Sequence, residues 1–70
     1  MKTYYFSYAL SYKDSAPLFG HMIRNVNGDL VTLEDVYETI EAIRNSKGIK
    51  GEDTVTCNII SWMEVDTTNN

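Results

Sequence analysis

From Tyr4 to Tyr12 the chain alternates. Tyr4, Phe6, Tyr8, Leu10 and Tyr12 fall on one parity, and Tyr5, Ser7, Ala9 and Ser11 on the other. Successive strand residues point to opposite faces, so this is a strand with one apolar and one mostly polar face. Lys13-Asp14-Ser15-Ala16-Pro17 gathers turn formers and a proline that has no amide hydrogen, which ends the strand in a hairpin loop. Leu18 to Val26 forms a second strand whose parity the pattern leaves open, because Phe19, His21 and Ile23 compete with Met22, Arg24 and Val26. Gly20 within it marks a bulge or a close backbone approach.

Asn27-Gly28 suits a tight turn with positive φ. Thr32 then takes the place of an N-cap and Asp35, three residues on, completes a capping box, with Val31 and Val36 in the positions of a hydrophobic staple. Leu33, Val36, Tyr37, Ile40 and Ile43 recur at three- and four-residue spacing. Arg44 and Lys47 stand where a helix dipole favours cations, and Gly48 fits the C′ position. A helix from about Leu33 to Lys47 is therefore expected. After a loop over 48–53, alternation returns from Thr54 to Val65 with Val55, Cys57, Ile59, Met63 and Val65 on one parity and Ser61 as its polar interruption. Asp66 to Asn70 has no apolar residue and should fray.

These elements predict an α+β fold, a single ββαβ domain over residues 1–65 followed by a disordered tail at 66–70. Strands joined by a short loop pair antiparallel, and a helical return to the same sheet is a right-handed crossover, so the third strand should run parallel to the second and flank the first. The result is an antiparallel or mixed sheet in the order 2-1-3 with the helix on one face. One helix covers one face only. The covered face is expected to carry Tyr4, Phe6, Tyr8, Leu10, Val55, Cys57, Ile59 and Met63, and the bare one Tyr5, Ala9, Asn58, Ile60 and Trp62. Tyr5, Ile60 and Trp62 would then form an apolar patch suited to a homodimer or partner interface. On the helix, Glu34, Glu38 and Glu41 fall within about 60° of one another, opposite the apolar stripe. This acidic strip is either a solvated face or a docking surface for a basic groove on another protein.

Six Lys and Arg against ten Asp and Glu give a net charge of −4, which disfavours direct contact with nucleic acid or anionic membranes. The single cysteine, Cys57, excludes an internal disulfide and a multi-cysteine zinc site and fits a reducing compartment. The N-terminal run is too polar for a signal-peptide core and no apolar stretch reaches spanning length, so a cytoplasmic location is expected. His21 is the only histidine and has no nucleophile or ligand spacing around it. Phosphate-loop, dinucleotide and calcium-loop patterns are absent from the sequence, so no enzyme, cofactor or metal is expected. A small-ligand alternative places Tyr12, Phe19, His21 and Arg24 around an edge pocket, with aromatic faces for a base and a guanidinium for phosphate.

The pieces Tyr5-Phe6-Ser7-Tyr8, Phe19-Gly20-His21, Thr32-Leu33-Glu34-Asp35-Val36 and Cys57-Asn58-Ile59, in that order, resemble a loose group of small proteins encoded by phages and mobile elements. The resemblance spans Tyr4 to Val65. It implies a compact, often dimeric, non-enzymatic protein, and some phage proteins of this size look like inhibitors of host defence, anti-CRISPR proteins among them, which would act in the host cytoplasm. The expectation is thus a small acidic interaction protein that dimerises through Tyr5, Ile60 and Trp62 and occludes a basic partner surface with Glu34, Glu38 and Glu41. A homo-oligomeric sponge for a signalling nucleotide and a structural accessory subunit are the alternatives.

Overall fold

The computed structural model describes residues 2–50 and 54–65. Strand β1 spans Lys2–Tyr12, β2 Leu18–Val26, helix α1 Leu33–Ser46 and β3 Val55–Glu64. The strands form one sheet in the order β2-β1-β3, with β1 antiparallel to both neighbours. The α+β class, the ββαβ order and the sheet order are those read from the sequence. The tail expected to fray at 66–70 lies outside the described residues.

Pairing with β1 settles the parity of β2. Leu10 lies opposite Leu18, Tyr8 opposite Gly20, Phe6 opposite Met22 and Tyr4 opposite Arg24. Partners across a ladder share a face, so the even residues of both strands turn to the helix, and Phe19, His21 and Ile23 turn away from it. Gly20 serves a close approach. A Cβ built there would stand 2.5 Å from the Tyr8 Oη and 2.6 Å from its Cζ, so the buried Tyr8 ring occupies the space a side chain would need.

The helix begins as its sequence dictates. The Thr32 Oγ1 accepts the Asp35 N–H at 3.2 Å, and the Asp35 Oδ2 accepts the Thr32 N–H at 2.8 Å, which satisfies two amide donors that the first turn leaves without partners. It ends in a Schellman arrangement: Gly48, at φ 71°, donates to the Asn45 carbonyl and Ile49 to that of Arg44. Arg44 then ties this end to the sheet. Its Nη1 donates to the Val55 carbonyl at 2.9 Å and its Nη2 to that of Lys50 at 3.0 Å.

The core has two adjoining parts. Tyr8, Leu10, Ile43 and Cys57 form one, and Tyr4, Phe6 and Val26 the other, where Val31 packs from the loop before the helix; Ile59 touches both. The Tyr4 hydroxyl donates to the Asp29 carbonyl at 3.2 Å and anchors that loop. Eleven extended residues of β1 reach roughly 37 Å, whereas the fourteen of α1 reach only about 21 Å. The molecule is accordingly elongated, 46 × 21 × 17 Å, with a radius of gyration of 13.3 Å against about 11 Å for a compact chain of this length.

The buried face of the helix differs from the expected stripe. Thr39 and Ile43 are fully buried, while Leu33 and Tyr37, expected in the core, are 66% and 62% exposed. Arg24 accounts for the rotation. It stands half-buried on the helix side of β2, opposite Tyr4, and the part of its guanidinium withdrawn from water needs an acceptor. The Thr39 Oγ1 supplies one, accepting from the Arg24 Nη1 at 3.0 Å and donating its own hydrogen to the Asp35 carbonyl at 2.7 Å. With Thr39 turned to the sheet, Leu33 and Tyr37 move to the flank.

Candidate functional site

A sheet with one helix leaves three kinds of uncovered surface here: the open face of the sheet, the outer face of the helix, and the side of the molecule formed by β3. On the open face the central row is Ile23, Tyr5 and Met63 across the three strands, followed by His21, Ser7 and Ser61, and then Phe19, Ala9 and Asn58. Thr3, Asn25, Ser11 and Thr56 complete it. None of these side chains is Asp, Glu, Lys or Arg, in a chain where sixteen of seventy residues are. Tyr5 and His21 stack with ring centroids 5.0 Å apart and planes 16° from parallel. The Thr3 hydroxyl donates to the Asn25 Oδ1 at 2.7 Å.

Trp62 is not part of this face. The β1–β3 register shifts between Ser7 and Tyr8, where Ser7 pairs with Ser61 but Tyr8 with Ile59, leaving Ile60 as an extra residue. A bulge of one residue reverses the parity beyond it. Trp62 therefore lies opposite Phe6 on the helix side, ring centroids 6.3 Å apart, and Met63, expected in the core, lies opposite Tyr5 on the open side. The expected cluster of Tyr5, Ile60 and Trp62 does not form; Ile23, Phe19 and Met63 accompany Tyr5 instead. The sequence carried the signal for this. Consecutive Ile59-Ile60 and a serine at a core parity in Ser61 are what a one-residue slip leaves behind.

On the helix, Glu34, Glu38 and Glu41 are all exposed, as the acidic strip requires. Asp35, beside them, is engaged in the capping box. Among the described residues the one ion pair is elsewhere, between the Lys2 Nζ and the Glu64 Oε1 at 3.4 Å.

The β3 side of the molecule carries a group of exposed apolar side chains. Leu33, Tyr37 and Arg44 share a helix flank, within about 40° on the helical wheel, and Arg44 marks it as the flank turned to β3 by bonding Val55. Below it Ile60 and Trp62 are 57% and 46% exposed. The opposite flank, above β2, carries Asp35, Ala42 and Ser46.

The proposed ligand set is dispersed. Phe19 and His21 face the open side; Tyr12 and Arg24 face the helix side near opposite ends of the sheet, and Arg24 is committed to Thr39. Sequence alternation alone could not show this, because the parity of β2 was undetermined. A wide, shallow depression of about 470 Å³ does exist where the hairpin loop meets the end of the helix, lined by Tyr12, Lys13, Ser15, Lys47, Gly48, Ile49, Thr54 and Val55. It shares only Tyr12 with that set. Cys57 is buried opposite Leu10. Burial pushes its thiol pKa above the ordinary 9.0, outweighing the opposite pull of the nearby Arg44 charge, so it is a poor nucleophile. Among the described residues no three His, Cys, Asp or Glu side chains converge as metal ligands, and no helix is long and apolar enough to cross a membrane.

Comparison with protein-family models, with curated proteins and with solved structures finds no match to this chain.

Proposed function

We propose that this chain is a small, acidic, non-enzymatic interaction protein that acts by occlusion, laying the outer face of α1 against a basic surface of a partner protein. The observation that carries the reading is the exposure of Glu34, Glu38 and Glu41 together on the outer face of a helix whose Asp35 is engaged in capping and whose Thr39 is engaged in the core. Such a row accelerates encounter with a positive groove and orients the approach. The nucleic-acid channel of a host-defence protein, the setting suggested by the phage-like sequence pattern, is a surface of this kind. The buried thiol and the committed Arg24 support a binding role over a chemical one.

The test is affinity capture with the wild type and with Glu34→Lys/Glu38→Lys/Glu41→Lys. A partner held by the wild type should be lost from the triple variant and released by salt, since exposed charges are screened within about 8 Å at physiological ionic strength. Equal capture of that partner by the triple variant would refute the acidic face as the contact.

A further inference from the structure

We propose that a second copy of this chain adds antiparallel to the outer edge of β3, joining the two sheets into one with both helices on the same side. This pairing is independent of the acidic face. It starts from the backbone. The Val65 N–H donates to the Thr3 carbonyl at 2.8 Å, and main-chain groups of an antiparallel strand alternate in direction. Met63 and Ser61 therefore also turn toward β1, and Trp62 and Glu64 turn outward. The bulge at Ile60 reverses the parity, so beyond it the outward residues are Ile59, Cys57 and Val55. Among the described residues no strand pairs with that edge.

Such an edge is a template for another strand unless it is blunted by charge or proline. The run Val55 to Met63 has neither; its sole irregularity is the bulge. Above the edge stand Leu33, Tyr37 and Trp62, and within it Ile60, each 46–66% exposed. Side chains of this size and exposure offer on the order of 100–150 Å² each. Together with the strand edge they approach the roughly 800 Å² per partner of a standard stable interface.

The charges favour the antiparallel orientation for that second copy. A two-fold axis between Ile60 and Ser61 pairs outward residues with outward residues on the same face, Trp62 opposite Ile59 and Glu64 opposite Cys57, which keeps the two Glu64 carboxylates far apart. Parallel addition would stack the two carboxylates. The same axis turns both Leu33–Tyr37 flanks toward each other across the joint, where with Trp62 they fill the space between the helices. The outer edge of β2 is the poorer candidate, because the flank above it is polar. The open sheet face is poorer too: its apolar residues are interleaved with Thr3, Ser7, Ser11, Asn25, Thr56, Asn58 and Ser61, as suits a face turned to water.

Sedimentation over micromolar to millimolar concentrations tests the pairing, with Ile60→Lys at the edge, Tyr37→Asp on the helix flank and Phe19→Asp on the open face. The wild type should dimerise. Ile60→Lys and Tyr37→Asp, at exposed positions that leave the core intact, should each raise the dissociation constant by about tenfold or more, and Phe19→Asp by less than about twofold. A wild type that remains monomeric throughout, or a dimer broken by Phe19→Asp and untouched by the other two, would overturn the proposal.

Discussion

At the scale of single residues, Tyr8 and Cys57 each give the fold a measurable signature. Tyr8 lies flat across Gly20 because nothing projects from that position. Gly20→Ala should therefore destabilise the fold by about 1–3 kcal/mol, the usual range for overpacking, read as a lower denaturant midpoint at unchanged slope. Cys57 gives a pH signature. Its folded-state pKa is raised, chiefly by burial and despite Arg44, so the folded chain holds the thiol proton more tightly than the unfolded chain. The stability this contributes is complete below the ordinary value of 9.0 and is lost as pH climbs through and beyond it. Relative to Cys57→Ala, the wild type should hold a constant stability difference around neutral pH and lose ground in alkali. A difference that instead grew above that value would show the thiolate to be favoured by the fold.

At the scale of elements, the pairing of Arg24 with Thr39 fixes the rotation of α1 on the sheet. Thr39→Val keeps the shape but removes the acceptor. It should cost about 1–3 kcal/mol, the penalty for an enclosed donor left unsatisfied, and Arg24→Met in the same chain should recover much of that loss in a double-mutant cycle. Additive effects would mean that the hydrogen bond does not orient the helix. Most element boundaries were legible in the sequence, because hairpin turn formers, the Thr32–Asp35 capping box and Gly48 at C′ each act through local backbone chemistry, whereas β1 begins at Lys2, two residues before its alternation. The rotation of the helix and the face taken by Trp62 were not. One depends on a long-range hydrogen bond between β2 and α1, and the other on a one-residue bulge that forms only when β3 pairs with β1. Of the candidate site, the acidic strip followed from helical spacing alone, whereas the aromatic patch and the ligand set depended on strand parities that only the ladder defines.

At the scale of the molecule, length is the governing quantity. Long strands under a shorter helix leave an elongated body with one side rich in Leu33, Tyr37, Ile60 and Trp62 and an open strand edge beneath them. A chain of seventy residues buries only about 60% of its unfolded surface, less than a larger domain does, so covering this side with a second copy adds stability as well as size. Amide hydrogen exchange along β3 tests this most directly, because adjacent residues serve as internal controls. The N–H groups of Met63 and Ser61, turned toward β1, should be protected at every concentration. Those of Trp62 and Cys57, turned outward, should exchange fast in dilute solution and become protected as concentration rises. Outward amides that stay unprotected at the highest concentration, while Met63 and Ser61 remain protected, would contradict pairing at this edge.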